Sequence, residues 1–159
     1  MAKKIEKTNV MRLLEQKKIS YKEYTYECDG ALSGMEVAES LSENPDKVFK
    51  TLVTVGASRR NYVFVVPVNR ELDLKKAAKA VAEKSIEMIK SKDLLPLTGY
   101  IHGGCSPIGM KKQFTTRIHE TAANFDTIIF SGGKIGFQVE VAVSDLPAIC
   151  PFEFADITE

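Results

Sequence analysis

The spacing of apolar positions changes several times along the chain, and each change predicts an element. From Thr8 to about Lys18, Val10, Leu13 and Leu14 recur at helical intervals behind Thr8 or Asn9 as N-cap, which predicts an amphipathic helix. Tyr21-Lys22-Glu23-Tyr24-Thr25-Tyr26 is aromatic, β-branched and alternating, which predicts a strand closed by Asp29-Gly30. Ser33 followed by Glu36 has the spacing of a capping box, so a helix should run to about Leu41 before Asn44-Pro45 breaks the chain.

Two β-branched runs come next, Val48 to Val55 and Tyr62 to Val68, joined through Gly56 to Asn61. They read as central strands paired antiparallel. Behind Asp73 as N-cap the period becomes helical again, with Leu74, Ala77, Ala78, Val81 and Ala82 on one face. Further strands are expected at Ile86–Ile89, Thr115–His119, Thr127–Phe130 and Phe137–Val143, with Ser131-Gly132-Gly133-Lys134 as a hairpin turn. Ser144-Asp145 should cap a short helix near Leu146 to Ile149. Mixed helices and short strands without βαβ alternation predict an α+β fold: one domain over residues 1–159, with a central mixed, largely antiparallel sheet flanked by helices.

Composition narrows the function classes. Hydrophobic content of 44% and charged content of 27% are those of a globular protein. Met1 to Glu6 is charged with no apolar stretch after it, and no apolar run approaches the ~20 residues of a membrane span, so a cytoplasmic protein without a membrane partner is expected. Cys28, Cys105 and Cys150 are far apart and lack CxxC spacing, and only His102 and His119 accompany them, so neither a disulfide framework nor a metal site is expected. The 22 basic and 21 acidic residues nearly cancel, which excludes the global attraction of a dedicated DNA-binding domain. Paired cations remain, among them Arg59-Arg60 and Lys111-Lys112, and several such pairs on one face would suit an RNA backbone.

The sharpest local feature is Gly103-Gly104-Cys105-Ser106-Pro107-Ile108-Gly109. Adjacent glycines permit positive φ and close approach of a ligand, while Pro107 stiffens the other end. Amides presented by such a loop bind an anion or an oxyanion, and a tight turn between strands is the plainer alternative. The loop lacks the Walker pattern and opens no GxGxxG helix, so no nucleotide cofactor is expected. Lys50 lies within an apolar strand on the face of Val48 and Leu52, so its ammonium must snorkel to water, meet a partner or serve a pocket. Cys105 invites a nucleophile reading with His102 as base, against a role as small apolar filler. Ser106 lacks the GxSxG context of a serine hydrolase.

Taken in order, Tyr24-Thr25-Tyr26-Glu27, Val48-Phe49-Lys50-Thr51-Leu52, Leu72-Asp73-Leu74-Lys75-Lys76-Ala77-Ala78, Gly99-Tyr100 with Gly103 to Lys112, and Ser131-Gly132-Gly133-Lys134 resemble the YbaK/EbsC family. These are bacterial aminoacyl-tRNA deacylases, typified by the Cys-tRNA(Pro) deacylase and related to the editing domain of prolyl-tRNA synthetase. The resemblance covers nearly the whole chain. It implies an enzyme acting on the 3′ end of aminoacylated tRNA(Pro), with prolyl-tRNA synthetase as a possible partner and no cofactor. A synthetase pocket separates amino acids of similar size by only about 1–3 kcal/mol, which is why a second sieve is needed. In the family mechanism the thiol of the misattached cysteine attacks its own ester. By the resemblance, Lys50 and Gly103 are the catalytic positions, Lys50 toward phosphate or ribose and the Gly103 amide toward the carbonyl. Tyr26, Thr51, Gly104, Ser106, Pro107, Ser131 and Gln138 are implied as substrate-binding. Gln138 stands where the Cys-specific members carry an aspartate, and the segment after Tyr26 is shorter, with Leu32 or Ser33 near an expected aromatic. Deacylation of another tRNA such as Ala-tRNA(Pro) by water, and a non-catalytic tRNA- or synthetase-binding module, are the alternatives.

Overall fold

The expected caps form and set where the helices begin. In a computed structural model describing residues 7–27 and 32–159, the Thr8 hydroxyl accepts from the Met11 amide and starts α1 (Asn9–Gln16). Ser33 and Glu36 make the reciprocal capping box of α2 (Gly34–Ser40), and the Asp73 carboxylate accepts from Lys75 and Lys76 at the start of α3 (Leu74–Ala80). The expected Asp29-Gly30 stop, like Cys28 and Met1 to Glu6, lies outside the described residues.

The strands are β1 (Tyr21–Thr25), β2 (Phe49–Gly56), β3 (Asn61–Pro67), β4 (Ile86–Met88), β5 (Thr115–His119), β6 (Thr127–Ser131), β7 (Phe137–Ala142) and β8 (Glu153–Ala155). The fold is α+β with mixed, mostly antiparallel pairing, as the sequence indicates. The strands divide into two sheets, however: an antiparallel β1-β7-β6 and a mixed β4-β2-β3-β5-β8 in which β3–β5 and β5–β8 run parallel. Three elements have no counterpart in the sequence reading. They are β8, a 3-10 turn at Glu120–Asn124, and α4 (Ser91–Thr98), whose start lacks a side-chain cap and whose interior holds Pro96. The helix expected near Leu146 is a 3-10 segment, Val143–Ala148.

The sheets meet where Val48 bridges Ile129 in parallel, with the Ile129 amide donating to the Lys47 carbonyl at 3.0 Å. An apolar plug of Val48, Ile129, Ala38 and Val68 covers this junction, and α2 approaches so closely that a Cβ on Gly34 would lie 2.6 Å from Val68 Cγ1. Burying each of the valine and isoleucine side chains here stabilises by roughly 1.5–3 kcal/mol. On the other face of β2, Phe49 and Val53 join α1 (Val10, Met11, Leu14) and Phe130 in the main core, while Phe64 and Val66 of β3 pack on Ala77 and Ala78 of α3.

A polar clamp holds the same junction. Lys47 Nζ meets Glu140 at 2.6 Å, and Glu140 also accepts from Thr127 and from the Tyr24 hydroxyl at 2.6 Å, which lies 3.0 Å from Glu43. Burial raises the Glu140 pKa, but the hydrogen bonds from Lys47, Thr127 and Tyr24 outweigh it and bring the carboxyl down to about 2. A carboxyl depressed from its usual 4.5 stabilises the fold fully above that value, and the contribution is lost as pH falls toward 2. Acid unfolding should therefore show wild type losing on the order of 2–3 kcal/mol between about pH 5 and pH 2 that Glu140→Gln does not lose. The substitution itself should cost a similar amount near neutrality, because Lys47 is left half-buried without its partner. Parallel acid curves for the two proteins would contradict this.

Candidate functional site

One edge of β2 is shared unequally. Its start is taken by β6 through the Lys47–Ile129 bond, and its end by β4, after which the Ile89 amide donates to the Val53 carbonyl at 3.3 Å. Between these points no strand pairs with that edge among the described residues. Strand alternation aims the Phe49 carbonyl and the N–H and C=O of Thr51 at the gap. The gap opens into a cavity of about 340 Å³, walled by Val48 and by β2 from Phe49 to Val53, the start of α2, residues 88–91 and 94, the glycine loop and the ends of β6 and β7.

Of the residues the sequence singles out, Lys50, Thr51, Gly103, Ser131 and Gln138 all reach these walls. Lys50 escapes the apolar strand in the way anticipated: its side chain keeps 27% exposure and its ammonium lies 3.7 Å from the open carboxylate of Glu71. Thr51 Oγ1 is buried with no hydrogen-bond partner among the described residues. Ser131 Oγ accepts from the Gly133 amide at 3.1 Å, which leaves its proton to donate. Gln138 pairs directly with Ser131 across β6–β7, so the two side chains share a face, and both are over nine-tenths buried.

The glycine loop is rigid for reasons that can be named. Gly103 has φ +88° and Gly109 φ +80°, conformations that favour glycine. The Gly104 amide donates to Ile101 O at 3.0 Å, and the Tyr100 hydroxyl donates to Ile108 O across the loop. A Cβ on Gly104 would fall 3.1–3.2 Å from the backbone of Lys134 and Ile135, so the loop abuts the β6–β7 connection. Through that contact Gly103 stands on the wall near the strand ends bearing Ser131 and Gln138.

Four expected substrate contacts lie outside the cavity walls. Gly104 makes the backbone contact just described. Ser106 is fully buried with its Oγ accepting from Ile108, and the Pro107 carbonyl accepts from the Cys150 thiol. Tyr26 is half-buried, with its amide on Gly136 O at 3.0 Å. The sequence reading missed the wall formed by Ile89, Lys90, Ser91 and Leu94. Ser91-Lys92-Asp93 ahead of Leu94-Leu95 was the available helix signal, and Pro96 obscured it. A wider groove of about 700 Å³ shares Met88, Ile89 and Lys90 with the cavity and carries Arg59 and Lys92.

Cys105 also lines the cavity, as a neutral thiol: burial pushes its pKa up to about 12. Cys150 is pushed by burial up to about 11. His102 is exposed at the rim, whereas His119 is buried far along β5, accepting the Ile157 amide on Nδ1 and facing Thr158 through Nε2. Burial lowers its pKa, so it serves as a neutral pin for the C-terminal segment. Among the described residues no group of three or more His, Cys, Asp or Glu side chains is placed to hold a metal ion, and no helix is long and apolar enough to cross a membrane.

Comparison with known proteins gives a consistent set of likenesses. The profile of a family described as the aminoacyl-tRNA editing domain matches residues 30–149. A protein of Enterococcus faecalis (strain ATCC 700802 / V583) bearing the name "Putative Cys-tRNA(Pro)/Cys-tRNA(Cys) deacylase EbsC" is 51% identical over 161 residues, spanning 99% of this chain and 98% of its own. Two solved structures share the fold. One, described as a "putative trans-editing enzyme for prolyl tRNA synthetase", has a TM-score of 0.79 at 22% identity and covers 96% of this chain and 98% of its own. The other, a hypothetical protein, has a TM-score of 0.83 at 16% identity and covers 94% and 99%.

If the buried thiols are as unreactive as their environment dictates, iodoacetamide at pH 8 should leave the Cys105 and Cys150 peptides unmodified in the native protein and label both once denaturant is added. Rapid native labelling of Cys105, read by peptide mass mapping, would show an activated thiolate instead.

Proposed function

The chain belongs to the aminoacyl-tRNA editing domain family, and from that premise we propose that it is a free-standing editing enzyme that removes cysteine from Cys-tRNA(Pro). The observation that carries this reading is the unpaired edge of β2, which brings Lys50, Thr51 and Gly103 to one cavity in a chain 51% identical to the Enterococcus protein. The tRNA is far too large to enter, so only its aminoacylated 3′ terminus occupies the cavity. Lys50, at the half-exposed rim, supplies the positive charge that orients the terminal phosphate or ribose. Gly103, whose positive φ turns its peptide plane where few other residues would, offers its amide toward the ester carbonyl as negative charge develops there.

The attacking group in this proposal is the substrate's own thiol. Its sulfur bonds to the carbonyl carbon as the carbon–oxygen ester bond breaks; the thiol proton ends on the departing ribose oxygen, and the products are a cyclic thiolactone and free tRNA. The protein contributes confinement and charge stabilisation rather than a nucleophile. Cys105 is a poor competitor for that role, since a thiol with a pKa of about 12 is ionised to only about one part in 10⁵ at pH 7. Water-mediated deacylation of a thiol-free substrate such as Ala-tRNA(Pro) is the second reading; the uncharged polar groups of Thr51, Ser131 and Gln138, with room to hold a water, favour it over a Cys105-dependent hydrolase.

The test is deacylation of Cys-tRNA(Pro) by purified protein alongside Ala-tRNA(Pro). Release from the cysteinyl substrate should exceed release from the alanyl one, and Lys50→Ala should lose at least tenfold with its thermal unfolding unchanged, while Cys105→Ala stays within a fewfold of wild type. Equal handling of both substrates would favour the water mechanism. No release of either above the uncatalysed rate would overturn the enzyme reading.

A further inference from the structure

Lys50 is not a bare cation. Its ammonium lies 3.7 Å from the carboxylate of Glu71, which stands outside the cavity, and no Asp or Glu belongs to the cavity walls among the described residues. The place of Glu71 follows from the backbone around it. After β3 ends at Pro67 the chain turns, with the Arg70 amide donating to the Pro67 carbonyl at 3.0 Å, and residues 71–73 then run antiparallel to residues 157–159. The Glu159 amide donates to the Glu71 carbonyl at 3.1 Å, and the Asp73 amide donates to the Ile157 carbonyl at 2.8 Å. Ile157 and Thr158 are buried, and Thr158 is held through its hydroxyl by Arg70 and His119 and through its carbonyl by Lys76. Alternation sends Leu72 onto the small core that Leu52 also packs against and leaves the Glu71 side chain in water, 78% exposed. A fixed backbone thus carries a free carboxylate to the ammonium at the cavity rim.

We propose that Glu71 is a positioning residue for Lys50: its carboxylate holds the ammonium at the rim until a nucleic acid arrives, and a phosphate then takes its place. Glu71 thereby sets how tightly anionic ligands are held. This inference rests on the aminoacyl-tRNA reading of the cavity and concerns the regulation of that site. An ion pair this exposed is weak, and a weak pair is what an exchange requires. The Lys47–Glu140 pair is the opposite case, 2.6 Å apart with side-chain exposures of 25% and 14%, and it serves to clamp the two sheets. A carboxylate and a phosphate repel each other when they share one ammonium, so entry of the terminus displaces Glu71, whose open side chain has room to swing away. The same exchange in reverse favours product release: the carboxylate returns to Lys50 as the deacylated terminus leaves.

Removing the charge while keeping the shape isolates the exchange. A CCA trinucleotide carrying cysteine through a non-hydrolysable 3′-amide, and unaminoacylated CCA, can be titrated against the intact protein by calorimetry at low salt. Glu71→Gln should tighten both by about two- to fivefold, and Glu71→Ala should repeat the gain. The gain should vanish at ~0.5 M salt, where exposed charges are screened. In deacylation of Cys-tRNA(Pro), KM should fall by the same factor while kcat rises no higher than that of wild type. Adenosine carrying the same cysteinyl amide but no phosphate should bind wild type and Glu71→Gln alike. Glu153→Gln is the control: that carboxylate is 75% exposed, pairs with Arg117 and lies outside the cavity walls, so its loss should change nothing. Unchanged or weaker CCA binding by Glu71→Gln would overturn the inference. So would an equal gain from Glu153→Gln or with the phosphate-free nucleoside, since the cause would then be a general field or a steric cover. Failure of wild type to bind any of these ligands would instead contradict the reading of the cavity on which the inference rests.

Discussion

Everything distinctive about this molecule follows from how the hydrogen-bonding edge of β2 is divided. A strand in the interior of a fold ordinarily satisfies both edges. Here β3 runs along one edge throughout, while the other is given to β6 at its start and β4 at its end. The intervening peptide groups face a cavity. Such an opening would close if the two sheets were free to slide together. The plug of Val48, Ile129, Ala38 and Val68 and the Lys47–Glu140 clamp keep β2 and β6 in register on one side, and the Ile89–Val53 bond fixes β4 on the other. The site is thus a by-product of the packing that makes two sheets out of eight strands.

Local chemistry was legible in the sequence because it is set by neighbours. The caps at Thr8, Ser33 and Asp73, the β2–β3 hairpin and the hairpin around Ser131 to Gly136 depend on residues a few positions apart. What escaped depends on distant partners. The parallel pairings of β3–β5 and β5–β8, and the division into two sheets at a single Val48–Ile129 bridge, leave no periodic trace. Helix α4 was hidden by Pro96 and by an uncapped start, and with it went one wall of the cavity. Among the site residues, those with an odd physical character stood out: Lys50 for its charge in an apolar strand, Gly103 for its loop. Gln138 and Thr51 look ordinary in a strand; what sets them apart is burial at the cavity for Gln138 and a buried hydroxyl without a partner for Thr51.

The distribution of reactivity is consistent with an enzyme that lends shape and charge. Its cavity thiol is pushed up to about 12 by burial, and its one histidine outside the rim is buried and hydrogen-bonded far from the cavity. What the cavity does offer is a cation at the rim, a fixed glycine turn, and neutral groups with unspent hydrogen bonds. In the proposed reading those are the requirements of a reaction whose nucleophile is delivered by the substrate: orientation first, then stabilisation of the carbonyl oxygen. Confinement then serves selectivity, because only a side chain that fits and satisfies the buried wall is held long enough to react.

The claim most exposed to experiment is that the open edge of β2 receives the aminoacylated terminus. Titrating isotope-labelled protein with a CCA trinucleotide that carries cysteine through a 3′-amide, and following the backbone amide resonances, addresses it directly. The largest shifts are predicted at Phe49, Thr51 and Gly103, with Val55 and Asn61 at the far end of the β2–β3 hairpin little changed. Shifts centred instead on the groove at Arg59, leaving Thr51 and Gly103 unmoved, would contradict it.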